Sequence, residues 1–208
     1  MPAYIEGMYE QFRSFILGEA AIPGIEKKIC ELTPAKRKAA AAPLTPVPPG
    51  MYLSNEDALD IPDGVKKVRQ EMLLKVLGKL LWATRMVHVT AAFAVNSCCR
   101  MVANPTEETL LAAFQIVAFL YTKKDDGIVF TKTAKPELLC YYDASNKADP
   151  ADCDRAQAGF VVMLGGGPTD WRSFRLPHVG LSAQHNELMA LAFASQAVVW
   201  HRYLLEDM

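Results

Sequence analysis

Two carboxylates in the last third of the sequence have the residue type and the setting of metal ligands. Asp143 closes the apolar run of residues 138–142, whose composition is typical of a strand. Glu187 lies near the start of a helix-like stretch over residues 186–194. An acid at a strand end and an acid early in a following helix can face each other across a sheet and share a divalent cation. The alternative interpretation is that both acids are ordinary surface carboxylates.

The composition is that of an ordinary globular chain. Its 208 residues are 51% hydrophobic and 22% charged, which is enough for one large domain or two small ones. The formal net charge of −1 gives no overall attraction to nucleic acid or to anionic membranes, so such binding would need a local patch. Five cysteines without a Cys-x-x-Cys spacing argue against a zinc site and indicate reduced thiols.

No membrane segment is expected. The first residues lack the basic and apolar regions of a signal peptide. The longest uncharged stretches, residues 86–99, 109–122 and 156–169, reach about 14 residues, whereas a helix needs about 20 to cross a bilayer. The sequence therefore predicts a soluble protein of the cytoplasm or the nucleus that has no membrane partner.

The sequence divides into three parts. Residues 1–50 are predicted to be a weakly ordered segment, in which a faint helical pattern over 1–33 leads into a linker rich in proline and alanine. The linker's basic triplet at residues 36–38 is either a solvated charge run or a contact for phosphates or nuclear import. Residues 51–125 are predicted to be helical, and residues 126–208 to be a strand-rich unit closed by a helix.

Three helices are predicted in the middle part. Apolar residues recur at three- and four-residue spacing through residues 65–80, and a second, mostly apolar helix is expected over about 87–102. Asn104, Pro105 and Glu107 then have the order of a capping residue, a first-turn proline and a capping-box acid. A third helix is therefore predicted to start at Asn104.

The hydrophobic period changes after residue 127. Strands are predicted over residues 128–130, 138–142, 159–164 and 171–176. A glycine run from Gly165 to Pro168 is predicted to be a hairpin turn, because it leads into a strand and lacks the Gly-Lys-Ser/Thr that follows in a phosphate-binding loop. The predicted fold class is α+β.

Ser182 is expected to cap a last helix over about residues 183–205. The apolar positions of this helix predict its buried face, which comprises Leu188, Leu191, Ala194 or Ser195, and Val198. Trp171 and Trp200 are interpreted as core residues rather than as platforms on which bases stack.

Several motifs occur in a familiar order. A first group is Leu77-Gly78-Lys79-Leu80-Leu81-Trp82-Ala83-Thr84-Arg85, followed by residues 112–123. A second group runs from Tyr142-Asp143 through Gly159-Phe160 and Trp171-Arg172-Ser173 to Leu181-Ser182 and Glu187. In order and spacing these motifs resemble Ty1/copia-type retrotransposon polyproteins, at the end of the reverse-transcriptase region and the start of the ribonuclease H domain. The resemblance covers roughly residues 43–208.

The resemblance implies a reverse-transcriptase connection-like helical region and a truncated ribonuclease H-like unit of three or more antiparallel strands and a packed helix. Asp143 and Glu187 would be catalytic acids that hold Mg²⁺, or Mn²⁺ as a substitute, for two-ion hydrolysis of an RNA–DNA hybrid. Four further residues are candidate contacts to the nucleic acid: Ser145, Lys147, Arg172 and Arg175. The alternative for the two arginines is a role in solubility on the outer face of a strand.

The sequence departs from the family in ways that bear on activity. The family's later acids, and the strand that pairs beside the Asp143 strand, lie beyond the helix of Glu187 and outside these 208 residues. An open sheet edge is therefore expected. Ser145 stands where the family has a second Asp, and His185, interpreted as a chance surface residue, stands where the family often has an acid. The resemblance thus implies an incomplete catalytic set.

Two functions of different classes follow. The first is a retroelement-derived ribonuclease H-like fragment, inactive by itself, that needs a completing segment to act on hybrids. The second is a repurposed binding or structural subunit without catalysis, whose open sheet edge packs against a protein partner and whose two acids are leftovers. A third possibility is a remnant that does not fold stably alone.

Overall fold

A computed structural model describes residues 1–23, 25, 42–48, 53, 61–132, 137–145 and 155–208. The basic triplet at 36–38, Lys147 and most of the predicted turn at 132–136 lie outside these described residues. The chain forms two compact units, Met1–Asp126 and Gly127–Met208. The first unit consists of helices, and the second contains a three-stranded antiparallel sheet and a helix, which confirms the predicted α+β class.

Within the described residues, the helical unit has four α-helices. These are α1 (Pro2–Ile16), α2 (Asp63–Met86), α3 (Ala92–Arg100) and α4 (Glu107–Thr122), with a short 3-10 helix at Val89–Ala91 before α3. Helix α4 is apolar on almost every side and lies at the centre, where α1, α2 and α3 all contact it. Among the helices that the structure describes, none has an apolar stretch long enough to cross a bilayer.

The N-terminal helix is more firmly packed than its sequence pattern predicted. The ring of Tyr9 on α1 stacks on Tyr121 of α4 with ring centroids 4.0 Å apart, and Phe12 lies against Phe114. Ile5 and Met8 are fully buried in the same core. The expectation of a weakly ordered segment fails for these first residues, because the aromatic partners that fix α1 are more than 100 positions away in sequence.

The start of α4 also differs from the prediction. Thr106, not Asn104, is the capping residue: its Oγ1 accepts a hydrogen bond of 3.2 Å from the backbone N–H of Thr109. The backbone N–H of Asn104 instead donates to the carbonyl of Met101, so Asn104 belongs to the turn that follows α3. Glu107, the first residue of α4, forms an ion pair of 3.0 Å with the buried Arg69 of α2.

The sheet of the second unit has the strand order β1-β2-β3. The strands are β1 (Leu138–Ala144), β2 (Gln157–Leu164) and β3 (Gly167–Arg175), and both pairings are antiparallel. Gly165 and Gly166 alone form the hairpin turn, with φ of +58° and +80°, a backbone conformation that favours glycine. The turn is therefore shorter than predicted, and β3 starts at Gly167.

The predicted strand at residues 128–130 is wrong. Residues 127–132 form no strand, but they pack beside the hairpin, where the N–H of Thr131 donates to the carbonyl of Gly165 over 2.7 Å. A Cβ at Gly167 would lie 2.8 Å from the ring of Phe130. The ring of Phe130 thus occupies the space that a side chain at position 167 would need, so glycine is required there.

The last helix, α5 (Ala183–Glu206), packs on β1 and β2. Ser182 caps it as predicted, because its Oγ accepts a 3.1 Å hydrogen bond from the N–H of His185. The predicted buried face is wrong at Leu188 and Leu191, which are 64% and 37% exposed. Small side chains face the sheet instead, led by Ala190 and Ala194, and the core opposite them is filled by Phe160 and Phe174.

Candidate carboxylate site on the sheet unit

The C-terminal end of β1 is joined to the start of α5 through Asn186. This residue is 2% exposed, and its Nδ2 donates to the carbonyl oxygen of Ser145 over 3.5 Å. Gly180, in the segment before α5, lies so close that an added Cβ would be 1.6 Å from Asn186 Oδ1. The structure thus brings together the strand end and the helix start that carry the two acids.

Glu187 follows Asn186 in α5 and is half-buried. Asp143 lies two residues before Ser145, near the end of β1, where it pairs with Gly159 of β2 and is exposed. Successive side chains of a strand point to opposite faces. Because Cys140 and Ala144 pack in the core that α5 covers, strand alternation places Asp143 on the other face of the sheet. The elements of the two acids adjoin, but their side chains do not share one face.

A polar network supports this end of the sheet. The N–H of Ser145 donates to the carbonyl of Gln157 over 2.9 Å, and the Ser145 hydroxyl accepts from the N–H of Gln157 over 3.2 Å. The Nε2 of Gln157 in turn donates to Ser173 Oγ on β3 over 2.8 Å. Ser145, predicted as a nucleic-acid contact, therefore has a hydroxyl engaged in holding the strand ends together.

The two candidate arginines lie on opposite faces of β3. The guanidinium of Arg172 is exposed and lies 4.8 Å from the ring centre of Phe174 and 6.0 Å from that of Phe193. This cation–π stacking fixes Arg172 on the face that α5 covers. Arg175 is half-buried and pairs in register with Gln157. Lys147, the third basic candidate, lies outside the described residues.

Three further predicted residues have clear positions. The Nδ1 of His185 accepts from the N–H of Leu181 over 3.4 Å, so His185 contributes to the cap of α5. Trp171 is buried, as expected of a core residue. Trp200 is 60% exposed, and its core assignment is wrong, because it lies on the side of α5 that faces away from the sheet.

The carboxylates have the right chemistry for magnesium but do not complete a site for it. Mg²⁺ prefers hard oxygen ligands, which Asp143 and Glu187 provide. A pair of ions needs more ligands than two carboxylates. In the described part of the chain, no group of three or more His, Cys, Asp or Glu side chains is placed to hold a metal ion. The residues present therefore fit only part of a two-ion site.

Sequence reasoning missed Asn186, Gly180 and Gln157, which organise this region. Asn186 follows Gln184 and His185 and directly precedes Glu187, in a polar run at the start of a helix. Nothing in that run distinguishes Asn186 as the amide that is buried and hydrogen-bonded inside. Gly180 and Gln157 gave no signal, since their importance depends on neighbours that are distant in sequence.

Comparison with known proteins gives partial matches. The chain is 28% identical over 127 residues to secreted RxLR effector protein 161 of Plasmopara viticola, a match that covers 61% of this chain and 89% of that protein. It is 30% identical over 117 residues to the retrovirus-related Pol polyprotein from transposon RE1 of Arabidopsis thaliana, and 24% identical over 165 residues to that from transposon RE2. These two matches cover 56% and 79% of this chain.

The matches to the polyproteins are short relative to those proteins. The chain spans 8% of the length of the RE1 polyprotein and 11% of the RE2 polyprotein. No family model matches the chain, and no solved structure matches it. The similarity to the two polyproteins indicates that the chain originates from a retrotransposon.

Proposed function

From this retrotransposon origin, we propose that residues 127–208 are a ribonuclease H-like unit related to RNA–DNA hybrid hydrolysis, and that the chain does not hydrolyse hybrids by itself. The order of its elements carries the proposal. A strand that ends near Asp143 is followed by two antiparallel strands and by a helix with Glu187 close to its capped start. This is the order that the resemblance to the ribonuclease H domain of such polyproteins implies.

The lack of hydrolysis follows from the ligand set. Two-ion hydrolysis uses metal ions to activate the attacking water and to stabilise the leaving oxygen. Asp143 and Glu187 supply two carboxylates from adjoining elements, with Asp143 on the sheet face away from α5. Hydrolysis would require further acids from a completing segment.

Nucleic-acid contact is a further part of the proposal. Arg172 is the strongest candidate, because it is exposed and its guanidinium is held over the rings of Phe174 and Phe193. A guanidinium that is already ordered loses less entropy when it binds a phosphate. Ser145 contributes less, since its hydroxyl is occupied by the backbone of Gln157.

Hydrolysis of a labelled RNA–DNA hybrid by the 208-residue chain with Mg²⁺ tests the proposal. The expected result is no cleavage above a sample without protein. Cleavage that is lost in both Asp143→Asn and Glu187→Gln, and retained in the matched variant Glu10→Gln on the exposed side of α1, would overturn it. The Glu10→Gln variant controls for the loss of one surface carboxylate.

A second function, a binding or structural subunit without catalysis, is favoured by a different observation. The similarity to the Plasmopara viticola protein covers 89% of that protein, so a related sequence exists as nearly the whole of a separate chain. A sequence that makes up most of a separate chain does not need a polymerase beside it. If this function holds, the double substitution of Asp143 and Glu187 leaves binding to the partner unchanged, as a pull-down would measure.

A further inference from the structure

The two edges of the three-stranded sheet differ in their protection against pairing with another strand. An edge strand exposes unpaired backbone N–H and C=O groups, and proteins block such edges with proline, bulges and charged side chains. The β3 edge has all three. Pro168 lies in the strand, and Thr169 is an extra residue, since Val162 pairs with Asp170 and Met163 with Pro168. Arg172 and Arg175 follow in the same strand.

The β1 edge has almost none of this protection. Its seven residues contain no proline, lysine or arginine, and their pairing with β2 runs without a register shift from Leu138↔Leu164 to Ala144↔Ala158. Within the described residues, no strand pairs with the other side of β1. Tyr141 in its centre is 64% exposed. The unprotected β1 edge is therefore the side of the sheet on which a further strand can be added.

Helix α5 also lacks charged residues along much of its length, including at exposed positions. Between Leu188 and His201 the sequence has no Asp, Glu, Lys or Arg, although Leu188, Val199 and Trp200 are all exposed. A helix that is solvated on one side normally carries charges there. Because α5 packs on β1, a second strand that pairs with β1 and carries its own helix on the same face of the sheet would bring that helix beside the uncharged part of α5.

We propose that a second copy of the chain pairs with β1 through its own β1, antiparallel about a two-fold axis, to form a continuous six-stranded sheet. Residues that face each other across such an axis must lie on the same face of the sheet. Side chains alternate between faces, so two residues of β1 lie on the same face only when they are an even number of positions apart. The axis must therefore pass through one residue and not midway between two neighbours.

The charges and the length of β1 select that position. With Cys140 on the axis, Glu137 would lie opposite Asp143, and like charges directly opposite each other destabilise a pair of strands. With Tyr141 on the axis, Asp143 lies opposite Leu139 and Leu138 opposite Ala144. Tyr141 is also the midpoint of Leu138–Ala144, so this register uses every residue of the strand. The two Tyr141 side chains then face each other.

The same axis orders the two helices. A two-fold axis perpendicular to the joined sheet sets both α5 helices on one face, side by side and antiparallel. The helices can then approach side by side without burying a charge, because neither has an Asp, Glu, Lys or Arg between residues 188 and 201 on any side. The strand edge and the helix surface thus favour the same partner, a second copy of this chain.

Sedimentation of the 208-residue chain over a range of concentrations tests the proposal. The expected mass is twice 23.0 kDa for the wild-type chain and for Tyr141→Phe. Tyr141→Lys places two cations opposite each other and is expected to weaken dimerisation at least tenfold. Gln11→Lys makes the same charge change on the exposed side of α1 and should leave the dimer intact. A wild-type chain that is monomeric at all concentrations overturns the proposal.

A cross-link tests the register independently of how well the lysine variant folds. Oxidation of Tyr141→Cys should give a covalent dimer, because the two sulfurs lie opposite each other across the axis. Leu139→Cys, which would face Asp143, should give no more covalent dimer on a denaturing gel than the wild-type chain with its native cysteines. Equal cross-linking of the two variants would contradict the register. Neither result depends on hybrid hydrolysis, so this proposal can fail while the proposed function stands.

Discussion

Adding one methyl group at Gly180 should show how tightly the strand end and the helix start are joined. An alanine Cβ there would lie 1.6 Å from Oδ1, 2.5 Å from Cγ and 2.9 Å from Nδ2 of Asn186. These distances are far inside van der Waals contact, so the Asn186 side chain has to move. Its hydrogen bond to the Ser145 carbonyl would then be lost.

The expected destabilisation combines two effects. Overpacking a well-filled site costs about 1–3 kcal/mol. Loss of the Asn186–Ser145 hydrogen bond adds about 0.5–1.5 kcal/mol. For Gly180→Ala we therefore expect the free energy of unfolding of the sheet unit to fall by about 1.5–4.5 kcal/mol.

A double-mutant cycle isolates the steric cause. In Asn186→Ala the obstructing amide is gone, so Gly180→Ala in that background should cost little. The coupling between the two substitutions should reach about 1–3 kcal/mol, in the range found for residues in direct contact. Urea unfolding of the four chains, with the sheet unit followed by amide signals of β1 and α5, measures each free energy.

Additive effects would show that the clash between a side chain at position 180 and Asn186 does not cause the destabilisation. If Gly180→Ala destabilises the sheet unit equally with and without the Asn186 side chain, the close approach does not decide the packing here. A single substitution with no measurable effect would lead to the same conclusion. Gly64→Ala in the helical unit is the matched control, because an added Cβ there meets nothing within 4 Å.

Three further predictions concern one helix cap, a histidine and a thiol. Ser182→Ala removes the cap of α5 and should lower the free energy of unfolding by about 0.5–2 kcal/mol, measured by urea unfolding, with Ser182→Asp largely retaining it. Burial is the largest influence on His88 and lowers its pKa below the ordinary 6.5; Asp126 raises the pKa and the N-terminal amine lowers it. The helical unit should therefore lose stability as the pH falls below 6.5, because the unfolded chain binds the proton first. A free energy of unfolding that stays constant between about pH 7 and pH 5 would contradict this. Burial raises the pKa of Cys98 to about 12, so iodoacetamide at about pH 8 should label it only after unfolding, as peptide mass mapping would show.

The sequence predicted local features well where one side chain and its neighbours decide the outcome. The cap at Ser182, the apolar run that makes β1 a strand, and the glycines of the hairpin depend on contacts within a few residues. The cap of α4 failed although it is also local, because Asn104 and Thr106 are both good capping residues. The turn after α3 uses the backbone of Asn104, which leaves Thr106 to cap.

Features that depend on distant partners were not predictable from the sequence. Helix α5 is apolar at nearly every position from Leu188 to Val199, so periodicity could not show which side meets the sheet. The bulky rings of Phe160 and Phe174 decide it, because they leave room only for small residues such as Ala190. The candidate site was limited in the same way. The sequence singles out Asp143 and Glu187 as candidates, but the faces on which they lie follow from the pairing of β1 and the packing of α5.

The response of the chain to Mg²⁺ tests most directly whether Asp143 and Glu187 form only part of a metal site. A complete site with Mg²⁺ at a hundred times its dissociation constant would raise the free energy of unfolding by about 2.7 kcal/mol. We predict no such rise in the wild-type chain beyond that produced by NaCl at equal ionic strength. A magnesium-specific stabilisation of that size, abolished by both Asp143→Asn and Glu187→Gln, would contradict the account.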